Sequence, residues 1–263
     1  MKKNKFLLVS LLFIIIFLVQ PQNFHYLKSV FTQNDLASQL NISDSSEEKN
    51  GNFGNEHQTQ NEELKSKTFD GQHQVIVVND KAKFTIKELS LENASWEKYS
   101  DLDFLNRVGV ADAMLSQDLM PTSERKDISS VKPTGWKNKK ILFNGKQDYL
   151  YNRSHLIGFQ LSDENDNVKN LFTGTRALNA NFDDEKSSMI YYENLIASYI
   201  KQTGHHVRYR VTPLFRNVEL VARGVRMEAQ SIEDDSISFD IYIFNIQPDY
   251  DINYLTGTSK KIQ

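Results

Sequence analysis

Hydrolysis of a phosphodiester needs a base for the water, positive charge for the phosphate and an oxygen-ligated cation for the leaving oxygen. Between Asn152 and Glu193 the chain carries candidates for all three: His155; Arg153 and Arg176; and Asn170 and Asn179 together with Glu193. Taken singly, each has an ordinary reading. A histidine after a strand is more often a hydrogen-bonded structural group, Arg176 reads as a surface residue and Asn179 as a turn residue. Their order in one stretch is what points to a site.

Glu193 is the strongest of these signals. Ser187 or Ser188 caps a helix that runs to about Gln202 and stops at Gly204. Met189, Ile190, Tyr192, Leu195, Ile196, Ala197, Tyr199 and Ile200 fill one arc of that helix, and Glu193 falls inside the arc. A carboxylate on a buried face carries a desolvation penalty of several kcal/mol unless something offsets it. Either a buried arginine partner or a hydrated cation would do so. Asn179 lies fourteen residues before Glu193, about 21 Å along a straight helix. The two meet at one ion only if the chain turns between them, and the run from Asn181 to Ser188 supplies the break.

The elements that must position these groups follow from patterning. Gln74–Asn79 and Lys83–Ile86 read as two strands, and the apolar spacing from Asp101 to Leu119 reads as an amphipathic helix stopped by Pro121. Asn144-Gly145 between Ile141–Phe143 and Lys146–Tyr151 is a strong hairpin signal. The second strand of that hairpin leads directly into Arg153 and His155. Alternation over 207–212, 218–222 and 237–243 reads as antiparallel strands with one wet face. His205 and His206 are adjacent on a strand and point to opposite faces, so they share no ligand.

Residues 71–263 form one domain on this reading, and with 39% hydrophobic residues in the chain and no cysteine, its core is built without disulfides. Residues 1–22, with Lys2, Lys3 and Lys5 before the apolar run Phe6–Val19, have the layout of a secretory signal peptide or an N-terminal membrane anchor. Residues 23–70 read as a disordered polar linker. The expected location is extracellular, free or held at the cell surface. The net charge of −3 argues against a polyanion partner, but Lys132–Arg226 has fifteen Lys and Arg against nine Asp and Glu. That surplus surrounds the suspected site, as nucleic-acid binding requires. No His-Glu-x-x-His or Gly-x-Ser-x-Gly motif is present, which removes the common zinc and serine hydrolase readings.

Asn152-Arg153-Ser154-His155, then Asn170, Thr173-Gly174-Thr175-Arg176, Asn179 and Glu193, with Pro133-Thr134-Gly135-Trp136 upstream, resembles the DNA/RNA non-specific endonuclease family with its ββα-metal motif. The likeness extends from about Gly109 to Gly257. It implies an α+β fold with a central antiparallel sheet flanked by helices. It also implies that His155 takes a proton from water, that Asn179 is the direct protein ligand of a hydrated Mg²⁺, for which Mn²⁺ can substitute, and that Glu193 holds metal-bound water. Arg153 and Arg176 would meet the phosphate, and Asn170 would shape the substrate site. The implied substrate is DNA, with RNA the alternative polymer; no protein partner is implied. The family pattern is Asp-Arg-Gly-His, so this chain departs at Asn152 and Ser154. A non-catalytic nucleic-acid-binding protein that retains the fold is the rival expectation.

Overall fold

The computed structural model describes the backbone of residues 45–262 and the side chains of residues 54–262. The expected signal or anchor segment, 1–22, lies outside the described residues. Among these, no helix is long and apolar enough to cross a membrane.

A six-stranded antiparallel sheet forms the centre. Its strands are β1 (Val75–Asn79), β2 (Trp96–Tyr99), β3 (Ala111–Leu115), β8 (Val207–Leu214), β9 (Gly224–Ser231) and β10 (Ser238–Phe244). They lie in the order β1-β10-β9-β8-β3-β2. Three two-stranded pairs accompany it: β4 (Lys140–Phe143) with β5 (Lys146–Tyr149), β6 (Tyr151–His155) with β7 (Leu171–Thr175), and β11 (Tyr250–Ile252) with β12 (Ser259–Lys261). Asn144 and Gly145 both take positive φ in the β4–β5 turn, as the Asn-Gly signal requires.

The sheet faces differ from expectation. Val225, Met227, Ala229, Ile241 and Ile243 pack against Met189, Ile196, Ala197 and Ile200 of helix α4 (Met189–Thr203) in the main core. The opposite face is covered too, so the wet face expected over 207–212 is absent from β8. Arg226 and Glu228 of β9 and Asp240 of β10 are fully buried there. Arg226 pairs with Asp240 at 2.7 Å, and Glu228 accepts from His57 Nε2 at 2.8 Å.

His57 belongs to helix α1 (Ser45–Ser66), which occupies part of the span expected to be disordered linker. Gln60 and Asn61, three and four residues on, accept from the Arg226 guanidinium at 2.9 Å each. Leu64 continues the same face into a cluster with Leu214, Tyr242 and Phe244. Low hydrophobicity misled the sequence reading because this helix docks through polar groups onto buried charges.

The expected helix over 101–119 is also replaced. Asp103 Oδ1 accepts from the backbone N–H of Leu105 and Arg107, making a turn with Asn106 at positive φ. Ala111–Leu115 is then strand β3 between β2 and β8, buried on both faces except at Asp112, which is half-buried and pairs with Arg208 and Arg210. A short apolar run buried on both sides has no period that separates it from a helix. Lys83–Ile86 is not a strand, and Val218–Ala222 is a turn segment leading into β9.

Candidate active site

The site is built on the β6–β7 hairpin and the helices that follow it. In register, Asn152 pairs with Gly174, Arg153 with Thr173, Ser154 with Phe172 and His155 with Leu171. Helix α2 (Phe159–Ser162) lies in the connection between the two strands. After β7, Thr175 caps the single turn α3 (Arg176–Asn179), accepting from Leu178 N–H at 3.1 Å, so Asn179 sits at its end. The chain then breaks through Asn181–Ser188, and Ser188 and Gly204 bound α4, as the sequence indicated. Leu195, placed on the apolar arc, is exposed instead.

His155, Asn179, Glu193 and Arg153 line one cavity of about 740 Å³, joined by Asn152, Gly158, Gln160 and Arg125. His155 is 7% exposed. Its Nε2 lies 2.9 Å from the Asn165 carbonyl. A carbonyl only accepts, so Nε2 carries the proton and Nδ1 holds the lone pair. Arg125 Nη2 donates to that Nδ1 at 3.3 Å. Burial, helped by the Arg125 charge, lowers the His155 pKa to about 4 against the two backbone carbonyls that favour its protonated form.

Glu193 is 6% exposed, as its place on the wheel predicted. Burial pushes its carboxyl up to about 8; the Gly158 N–H and Gln160 amide favour the anion, and Arg125 acts on it through charge. An arginine salt bridge therefore does not account for this carboxylate. Gly158 is required by space: a methyl group there would sit 2.5 Å from Glu193 Oε2.

The oxygen groups suit a hard divalent cation. Glu193 supplies a buried carboxylate, Asn179 a neutral amide on the same wall, and Asn152 Oδ1 is a buried acceptor with no hydrogen-bond partner among the described residues. One carboxylate with neutral amides fits an ion that keeps most of its water.

Three of the expected site residues have protein partners of their own. Asn170 is fully buried, and its amide is spent on Ile157, donating to the carbonyl at 3.0 Å and accepting from the N–H at 2.9 Å. It fixes the turn after His155 and cannot touch substrate. Arg176 is outside the cavity lining; its Nε donates to Asp148 at 2.6 Å, neutralising a carboxylate that does line the cavity. Arg153 lines the cavity, but its Nε bonds the Val131 carbonyl, its Nη2 donates to Ser129 O at 2.6 Å, and its guanidinium stacks 4.4 Å over Trp136. It holds the 129–131 loop as a wall. Arg125, in a polar loop with no motif around it, was missed; only its place above His155 reveals it.

Ser154 is accommodated by its cross-strand neighbourhood. It is fully buried, and a methyl at Gly174 would collide with its Cβ and Oγ. Gly174→Ala is expected to destabilise by about 1–3 kcal/mol through overpacking. Adding Ser154→Gly should recover most of that loss, a coupling readable in a double-mutant cycle by denaturant unfolding.

The sequence pattern of the DNA/RNA non-specific endonuclease family matches residues 89–233. The fold is similar to NucA from Streptococcus agalactiae solved with magnesium bound, at 26% identity and TM-score 0.62, covering 71% of this chain and 86% of that one. It is similar to the Sda1 nuclease with bound zinc at 26% identity and TM-score 0.62, over 73% of this chain and 98% of that one. An extracellular endonuclease shares the fold at 21% identity and TM-score 0.53, over 74% and 100%. A match across more than half the chain settles the family: this protein belongs to the DNA/RNA non-specific endonucleases, metal-dependent phosphodiesterases that act on nucleic acid.

Proposed function

We propose that the chain is an exported, sequence-nonspecific endonuclease that uses Mg²⁺, or Mn²⁺ in its place, to cut DNA, with RNA as a second substrate. The observation that carries this reading is that His155, Asn179 and Glu193, from three separate elements, face one cavity. With Arg125 turned from His155 Nδ1 to the phosphate, Nδ1 accepts a proton from water as its oxygen attacks phosphorus, and the bond to the 3′ oxygen breaks to leave a 5′-phosphate end. Asn165 keeps the imidazole in the tautomer that makes this possible. Asn179 would hold the cation directly and Glu193 through water. Bound there, the ion would supply positive charge to the phosphate and the leaving oxygen.

Arg125 takes the phosphate role first assigned to Arg153 and Arg176, since its guanidinium contacts the imidazole and its charge acts on Glu193. Backbone contacts of this kind carry no base sequence, hence the nonspecific cutting. Export follows from the lysines and apolar run of residues 1–22, with release or surface anchoring as its two outcomes.

Digestion of plasmid DNA in Mg²⁺, with and without chelator, tests the reading beside Asn179→Ala. Activity in the wild type that chelator abolishes, and that Asn179→Ala reduces by at least a hundredfold, is expected. Intact plasmid in every lane would instead support the non-catalytic binding protein.

A further inference from the structure

A large aromatic ring stands half in solvent at the edge of the catalytic cavity. Tyr149 is 52% exposed and lines that cavity. It pairs with Lys140 across the β4–β5 ladder, so the two side chains share a face, and Leu142, two residues along and 64% exposed, shares it as well. The other face of the hairpin is anchored: Ile141 is buried with Leu150, Tyr151 and Ile252. The exposed face is thus a rigid platform of one aromatic, one aliphatic and one ammonium group, with the Gln147 amide beside Leu142.

Its charge is as telling as its shape. Lys137, Lys140 and Lys146 are all exposed on or beside the hairpin. The nearest acid, Asp148, is bonded to Arg176. A chain of net charge −3 has therefore placed a local cationic surface next to its phosphodiesterase site.

We propose that this face receives an unpaired stretch of the substrate strand, with a base stacked on Tyr149 beside the cut phosphate and the flanking phosphates held by Lys140 and its neighbours. The proposal rests on the nuclease reading above and adds a strand preference to it. Every base offers a π-face, so stacking is indifferent to sequence, but in a duplex those faces are already covered by neighbouring base pairs. Tyr149 therefore acts on single strands, loops and frayed ends. The lysines attract either form.

The test is binding of a fluorescent twelve-nucleotide single strand and of its duplex to His155→Ala protein, with Tyr149→Ala and Tyr149→Phe added in turn. Tyr149→Ala should weaken single-strand binding by about tenfold or more, leave duplex binding within about twofold, and leave the melting temperature unchanged because the ring is exposed. Tyr149→Phe should bind like the parent. Equal losses on both substrates, or no loss on either, would overturn the proposal. Failure of the nuclease reading shows separately, as no cutting of either substrate by the unmutated protein in Mg²⁺.

Discussion

Replacing His155 with alanine is expected to lower kcat/KM by about 10²–10⁴, the range a positioned general base contributes. The fold should survive, because what is lost is one ring whose hydrogen bonds go to the Asn165 carbonyl and Arg125. The pH profile sharpens this expectation. A free histidine, with a pKa of about 6.5, would lose its base form below roughly pH 6–7, and the sequence alone implies a decline there. Burial lowers the His155 pKa to about 4, so protonation is postponed to more acidic solution and the neutral base persists through the range from pH 5 to 8. At saturating metal, the acid limb assigned to His155 should therefore fall near pH 4. A limb centred at 6.5 would mean that the ring is solvated in the working enzyme. The same shift weakens the fold in acid. The unfolded chain takes up this proton at about 6.5 while the folded chain resists it to about 4, so stability from this group is complete above 6.5 and is lost as pH falls through that window.

Removal of residues 1–70 should destabilise the protein severely relative to a chain that begins at Ser45. That cut takes away α1, and with it His57, Gln60 and Asn61, the partners of buried Glu228 and Arg226. Stripping one partner from a buried charged pair is destabilising by about 3–5 kcal/mol. Loss of Leu64, only 3% exposed, uncovers Leu214, Tyr242 and Phe244 in addition. For a domain of this size a 5 kcal/mol loss corresponds to a melting temperature lower by roughly 10–20 °C. Thermal unfolding of chains beginning at Ser45 and at Gly71 checks the claim; equal melting temperatures would show that α1 contributes nothing to the domain.

What could be read from the sequence was what local pattern encodes. Helix α4 declared itself by its arc, its caps and the one carboxylate that did not belong on an apolar face. The β4–β5 turn declared itself by Asn-Gly. Strand β3 did not, because Ala111, Ala113 and Leu115 on one face and Met114 on the other are all buried, and the single polar position, Asp112, sets no period. Strand β9 was hidden for the opposite reason: Arg226 and Glu228 alternate with Val225, Met227 and Ala229 and mimic a solvated face, while their partners lie on β10 and α1, distant in sequence. Residue type picked out His155, Asn179 and Glu193, which line one cavity. It could not tell that Asn170 clamps Ile157, that Arg176 serves Asp148, or that the guanidinium bonded to the imidazole comes from Arg125. Those assignments depend on which hydrogen bonds are already made, and only the folded chain decides that.

The convergence of His155, Asn179 and Glu193 on one ion is tested most directly by a crystal structure of the protein with Mn²⁺, using the anomalous signal of the metal. The account predicts a peak about 2.0–2.2 Å from Asn179 Oδ1, separated from the Glu193 carboxylate by water and uncoordinated by His155. A peak bonded to the His155 ring, or no peak in the cavity while Asn179 and Glu193 stand apart, would contradict it.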